Sequence, residues 1–190
     1  MKPLLSWQQN HKPCYNAAMI ILGIDPGSRV TGFGLIQTDG HKAHYLSSGC
    51  IRLKSEQTVP ERLVDIFNGI THVIEQFKPE TCAIEQIFMH KSPDSALKLG
   101  QARGVAIAAM ALQNIEISEY SARQIKQSVV GYGAADKAQV MHMVKVLLDI
   151  QHELKADAAD ALAVALCHFH TRQSLLHLQG ASKTVRGRLR

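Results

Sequence analysis

The stretch Ile20-Ile21-Leu22-Gly23-Ile24-Asp25-Pro26-Gly27-Ser28 decides the fold. Its first five residues form a nearly continuous apolar run, the pattern of a strand buried on both faces. Asp-Pro-Gly-Ser then reads as a turn, because Pro presets φ, Gly accepts the reversal and Asp and Ser bond to nearby backbone. Strand-like sequence resumes near 32–38 and 45–53, and Asp39-Gly40 between them is a hairpin signal. Three strands in a meander therefore come first. The glycine spacing of Asp25-Pro-Gly-Ser-Arg-Val-Thr-Gly-Phe-Gly superficially suggests a phosphate loop, but such loops open a helix and this one opens a strand. Gly27 and Gly32 read instead as residues that permit a tight reversal beside Asp25. Actin- and sugar-kinase-like ATPases begin with a similar hairpin, yet they need two large lobes that 190 residues cannot supply.

Downstream the period changes. Leu63, Ile66, Phe67, Ile70, Val73, Ile74 and Phe77 recur at helical spacing, with Pro79 just beyond the end. Residues 81–84 read as a short buried strand ending at Glu85, 95–112 as an Ala/Gly/Leu helix and 115–120 as a strand. Helices are predicted near 122–129, 136–148 and 157–171. This order predicts an α/β fold, a mixed five-stranded sheet flanked by helices on both faces. One domain is expected over 19–171. Segment 1–18 is polar, has no apolar core of a secretory signal, and is expected to be a disordered leader or a start-site artefact before Met19. Residues 172–190 are expected to be a basic tail.

Composition narrows the function. Hydrophobic residues at 46% and charged residues at 19% exclude a disordered chain. No run approaches the roughly 20 apolar residues that cross a bilayer, so no membrane partner is expected. Lys and Arg number 21 against 16 Asp and Glu. Five of those bases, Arg172, Lys183, Arg186, Arg188 and Arg190, lie beyond Thr171 in a stretch without acids, which leaves the body neutral. A basic tail on a neutral body suits a polyanion partner, and it equally suits a solvated tail. Cys14, Cys50, Cys82 and Cys167 form no CxxC pair, which argues against zinc or a disulfide framework and for a reducing, cytoplasmic setting. The ten histidines scatter without ligand spacing, and most read as surface residues.

Four acids stand out. Asp25 and Glu85 end predicted strands, and in α/β sheets the ligand crevice lies outside such ends. Either acid alone is ordinary loop polarity. Asp157 and Asp160, three apart at the start of a helix, share one face. Read as N-cap and N3 they would merely cap that helix. The residues after them, Ala161-Leu-Ala-Val-Ala-Leu166, are apolar nearly all round, so this helix start should be embedded. Carboxylates gathered in a half-buried place repel one another unless cations neutralise them. Oxygen-only ligands select Mg²⁺ or Mn²⁺ over zinc, and two-metal phosphodiester hydrolysis follows as the candidate chemistry.

Four motifs in order, Ile-Leu-Gly-Ile-Asp25-Pro-Gly-Ser-Arg-Val-Thr-Gly, Ala-Ile-Glu85-Gln-Ile-Phe88, Ser-Ala-Leu-Lys-Leu-Gly-Gln-Ala-Arg-Gly and Asp157-Ala-Ala-Asp160-Ala-Leu-Ala, closely resemble the RuvC family of bacterial Holliday junction resolvases. The resemblance runs from Met19 to the terminal Gly-Arg-Leu-Arg, and only the leader departs from it. It implies a ribonuclease H-like fold in which Asp25, Glu85, Asp157 and Asp160 are catalytic and hold two Mg²⁺, with Mn²⁺ as a substitute. One ion would activate a water and the other would stabilise the leaving 3′-oxygen, giving 5′-phosphate and 3′-hydroxyl ends. Phe88 would be an aromatic that unstacks bases near the crossover, the alternative being a core Phe. Lys126 and Lys137 would contact DNA phosphate near the cut, the alternative being a solvated helix face. Gly100 and Gly104 allow close helix approach, either between the two copies of a homodimer or onto the protein's own sheet. The implied function is a structure-selective endonuclease that resolves four-way DNA junctions by paired symmetric nicks in recombination and repair, together with the RuvA–RuvB branch-migration complex. Two other readings stay open: a ribonuclease H-like nuclease acting on RNA–DNA hybrids or in transposition, and a catalytically silent junction-binding protein.

Overall fold

The computed structural model describes residues 18–87 and 93–181. The apolar run forms β1 (Met19–Asp25) in the middle of a five-stranded sheet ordered β3-β2-β1-β4-β5. Strands β2 (Val30–Thr38) and β3 (Ala43–Arg52) complete an antiparallel meander. Their hairpin turns at Gly40, whose φ of 90° suits glycine, while Asp39 Oδ1 accepts from the His41 and Lys42 amides at 2.9 and 2.8 Å. Strands β4 (Thr81–Glu85) and β5 (Glu116–Tyr120) add in parallel beyond β1. The sheet is therefore mixed, as the sequence predicts.

Helices cover both faces. Helix α1 (Val59–Phe77) starts at a Thr58/Glu61 capping box and ends at Lys78, in the left-handed region at φ 50° before Pro79. With α2 (Pro93–Leu112) it packs on the face that carries Leu22, Ile24 and Leu35. The other face, with Ile21 and Ile36, receives α3 (Ala122–Val130), α4 (Lys137–Leu147) and α5 (Ala156–Ala181). Alternate residues of β1 thus serve opposite cores, which is why its sequence is apolar throughout.

Three expectations are corrected. The last helix runs from Ala156 to Ala181 instead of 157–171: Arg172-Gln-Ser-Leu-Leu-His-Leu-Gln contains no helix breaker before Gly180, and the helix passes into the expected tail. Its start also lies one residue earlier. Ala159 donates to the Lys155 carbonyl, so Lys155 holds the cap position, and Asp157 and Asp160 are the second and fifth helical residues. The capping explanation of the two acids therefore fails. Gly32, finally, is not in the turn. It lies in β2 opposite Asp25, and Gly34 lies opposite Gly23. A Cβ on Gly23 would stand 2.1 Å from the Ala161 carbonyl oxygen, and one on Gly32 would stand 2.0 Å from that of Asp157. At Gly34 it would meet Leu162 N at 2.7 Å. These three glycines form a lane in which α5 rides directly on the sheet backbone. Gly27 keeps its role in the turn, where a Cβ would meet the Val30 carbonyl oxygen at 2.0 Å.

Candidate active site

The glycine lane sets the site. By drawing the first turns of α5 onto β1 and β2, it brings Asp157 and Asp160 to the strand end that carries Asp25. Glu85 ends the parallel neighbour β4, so all four acids reach the carboxyl edge of the sheet. A cavity of about 390 Å³ opens there, lined by Asp25, Glu85, Lys126, Lys137 and Asp160 against apolar walls that include Leu99, Ile125 and Val140. Asp157 faces the same region from the first turn of α5 but does not line the cavity. Phe88 lies outside the described residues.

The electrostatics follow from this crowding. Burial, then the charges of Glu85 and Asp160, push the Asp25 carboxyl up to about 7, with Asp157 adding in the same direction. Burial and Asp160 also raise Glu85, while the ammonium groups of Lys137 and Lys126 pull it back. Lys137 is the first residue of α4, capped by Asp136, and its Nζ donates to Asp160 Oδ2 at 2.7 Å. That contact is the main reason its own pKa is raised. The lysine is 80% exposed against 20% for the aspartate, so its stem reaches in from solvent and can swing back out.

Among the described residues no three carboxylate, imidazole or thiol groups close into a metal cage. The acids form a loose ring instead, with like charge left over after Lys137 has engaged one of them. The donor set still fits a hard divalent cation: it is all oxygen and lies at a half-buried edge where burial and like charge raise Asp25 and Glu85. Lys126 on α3 and Lys137 on α4 line the same cavity as Asp25, Glu85 and Asp160.

Two features lay outside the sequence reading. Arg103 of α2 donates through Nε to the Glu85 carbonyl at 3.2 Å and is ion-paired through Nη2 with Glu119 of β5. The signal that points to it is Pro26, which removes a backbone donor at the site's edge. Among the described histidines, His168 departs furthest from the surface reading. It is 3% exposed inside the α5–sheet interface. Gly100 and Gly104, by contrast, are exposed with nothing within 4 Å of a Cβ at either, so close packing onto the protein's own sheet is excluded.

A mixed sheet of this order, with carboxylates at the ends of its two central parallel strands and on the helix crossing them, defines a ribonuclease H-like nuclease. The model of the crossover junction endodeoxyribonuclease RuvC family matches residues 21–168. The chain belongs to that family. It is 60% identical over 172 residues to the RuvC of Pseudoalteromonas atlantica, covering 90% of this chain and 99% of the relative. The RuvC of Francisella tularensis subsp. novicida is 54% identical over 172 residues, covering 90% and 100%. Among solved structures, Thermus thermophilus RuvC in complex with a Holliday junction substrate superposes with a TM-score of 0.76 at 31% identity, covering 82% of this chain and 96% of that one.

Proposed function

We propose that this chain resolves four-way DNA junctions by paired, symmetric, metal-dependent nicks. The observation that carries the proposal is the convergence of Asp25, Glu85 and Asp160 with Lys126 and Lys137 in one cavity at the sheet's carboxyl edge. Asp25, Glu85, Asp157 and Asp160 would hold two divalent ions, Mg²⁺ or in its place Mn²⁺. Such ions, when bound, activate water for attack and stabilise the leaving 3′-oxygen. The residues supply the rest. Asp25, ionised once a cation is near, anchors the reacting end of the backbone to β1, the central strand. Glu85 and Asp160 close the ring from β4 and α5. Lys126 contacts a phosphate from α3, and Lys137 exchanges its Asp160 partner for a second one. Helix N-terminal amides beside Lys137 favour the same anion. Phe88 wedges between bases at the crossover, trading stacking for access to a distorted backbone.

The nuclease domain, 19–171, would act as a homodimer in the cytoplasm with the RuvA–RuvB complex. The exposed face of α2 around Gly100 and Gly104, flanked by Leu97 and Leu112 at 69% exposure each, supports the dimer. Two copies of one site suit a junction that needs two symmetric cuts. The test is cleavage of a labelled four-way junction beside a linear duplex and an RNA–DNA hybrid, with and without Mg²⁺. Ligatable paired nicks in the junction alone are expected. Cutting of the hybrid instead moves the activity elsewhere in the fold class, and tight binding without cutting leaves a binding protein.

A further inference from the structure

The register that joins β1 to β4 ends at Ile24↔Ile84. In a parallel ladder a carbonyl accepts the amide one residue beyond its opposite number. Continued by one step, the register sets Glu85 opposite Asp25, and the amide awaited by the Glu85 carbonyl is that of residue 26. Residue 26 is proline and has none. The carbonyl of a candidate metal ligand is thus left without a strand partner, at the point where Asp160 repels its side chain. Arg103 fills the gap. Its Nε donates to that carbonyl at 3.2 Å, and its guanidinium is held in turn by Glu119, opposite Ile84 on β5. The arginine side chain is only 20% exposed, so the contact is shielded and its direction is fixed by a two-point fork.

We propose that Arg103 is a positioning residue for the metal site: it substitutes for the missing Pro26 amide and keeps the Glu85 carboxylate turned inward against the repulsion of its neighbours. The proposal rests on the nuclease reading above. Among the described residues no other donor to this carbonyl is seen. The Gln86 amide, in the same peptide group as that carbonyl, donates to the Tyr120 carbonyl at 2.8 Å and ties the peptide on its β5 side, so Arg103 supplies the hold on the β1 side. Without Arg103 the peptide keeps only its bond to Tyr120, its part-buried carbonyl loses its partner, and the peptide tilts about the remaining bond so that the carboxylate relaxes outward, away from Asp160.

The test compares wild type with Arg103→Ala, Arg103→Lys and Glu119→Gln. Mn²⁺ binding is followed by electron paramagnetic resonance in the absence of DNA, junction binding is measured in Ca²⁺, and cleavage is measured against metal concentration. Arg103→Ala should weaken Mn²⁺ binding and raise the metal midpoint for cleavage by about tenfold or more, as other partners of metal-ligating groups do. Junction affinity should stay within about twofold, because Arg103 makes no contact with the cavity's lysines. Arg103→Lys, with a point charge in place of the fork, should recover only part of the loss. An Arg103→Ala protein that melts cooperatively and keeps the wild-type Mn²⁺ midpoint overturns the proposal. Should that variant fail to fold, Glu119→Gln decides: it loosens the anchor without touching core or cavity, and an unchanged midpoint there overturns the proposal equally. A wild-type chain that neither binds Mn²⁺ nor cuts the junction defeats the nuclease reading itself, a result distinct from variants that match an active wild type.

Discussion

The interface between α5 and the sheet contains polar groups at both ends, and the two ends treat them in opposite ways. At the first turns, Asp157 and Asp160 face Asp25 and Glu85, and the acids have one another and two lysines, Lys126 and Lys137, for company. Two residues beyond the apolar stretch, His168 lies between Tyr120 and Thr81, with Nδ1 2.9 Å from the Tyr120 hydroxyl and Nε2 3.3 Å from Thr81 Oγ1. Burial is the leading cause of the pKa shift in both places. It pushes Asp25 up to about 7 and His168 down to about 4. The histidine escapes the cost of charge by staying neutral and bonding to two hydroxyls. The acids cannot do the same, because four protons would be needed to quiet four carboxylates. One end is satisfied within the chain, and the other is left with like charges that a bound cation would neutralise.

The largest effect should come from breaking the unsatisfied end. Asp160→Asn keeps the shape, removes a charge from the ring and frees Lys137 from its partner. Junction cleavage should be abolished while binding in Ca²⁺ remains. Normal cutting by this variant would remove Asp160 from the metal site. The metal-free variant should also melt higher than wild type at alkaline pH, since the repulsion on Asp25 and Glu85 falls.

The two ends should also titrate against each other. A raised Asp25 holds a proton in the folded chain that the unfolded chain has lost, so its contribution is full below about pH 4 and disappears as pH rises through about 7. A lowered His168 refuses a proton that the unfolded chain accepts, so its contribution is full above about 6.5 and is lost as pH falls toward 4. In EDTA these slopes oppose over the shared window. A divalent cation binds the ionised Asp25 and cancels its side of the balance. Urea unfolding should therefore show stability rising more steeply from about pH 5 to about pH 7 in Mg²⁺ than in EDTA. The Asp25 proton contributes at most about 1.4 kcal/mol per pH unit to that difference, and Glu85, also raised, adds in the same direction. Equal slopes would separate Asp25 from any metal site.

The sequence reveals the satisfied and unsatisfied ends unequally. Asp25 and Glu85 are legible because an apolar run fixes where each strand stops. Asp157 and Asp160 are legible as a pair, but the helix start is misplaced by one residue. Lys155-Ala156 carries no capping signal, and the start is set by docking on the glycine lane. Gly32 is misassigned to the turn for a similar reason: its role depends on lying opposite Asp25, a matter of register that no local pattern encodes. His168 gives no sign of burial, since its partners lie 48 and 87 residues away in the chain. Arg103 is hidden by the same distance effect, although Pro26 marks the vacancy it fills.

The glycine lane links the two ends, and a methyl group tests it. Gly23→Ala would push a Cβ against the Ala161 carbonyl oxygen and the Ala165 amide, both backbone atoms that cannot rotate away. A loss of about 3 kcal/mol is expected, the upper part of the range for overpacking. Because α5 must lift, carrying Asp157 and Asp160 with it, cleavage per folded molecule should fall as well. A stable Gly23→Ala enzyme of normal activity would mean that the helix position is not what assembles the acids.

The smallest effect belongs to the satisfied end, and it separates structure from chemistry most cleanly. Tyr120→Phe strips the hydroxyl from His168 Nδ1 in a buried place, leaving a polar atom with neither water nor partner. The cost should be about 1–2 kcal/mol in urea unfolding. Adding His168→Leu removes the orphaned atom, and the double variant should regain most of that loss, since an apolar pair has no hydrogen bonds to forgo. Neither variant should change cleavage at a temperature where the protein is folded, because neither Tyr120 nor His168 lines the cavity. If Tyr120→Phe slowed cutting without lowering stability, the two ends would be mechanically joined along α5, and the histidine would belong to the active site's support as much as to the core.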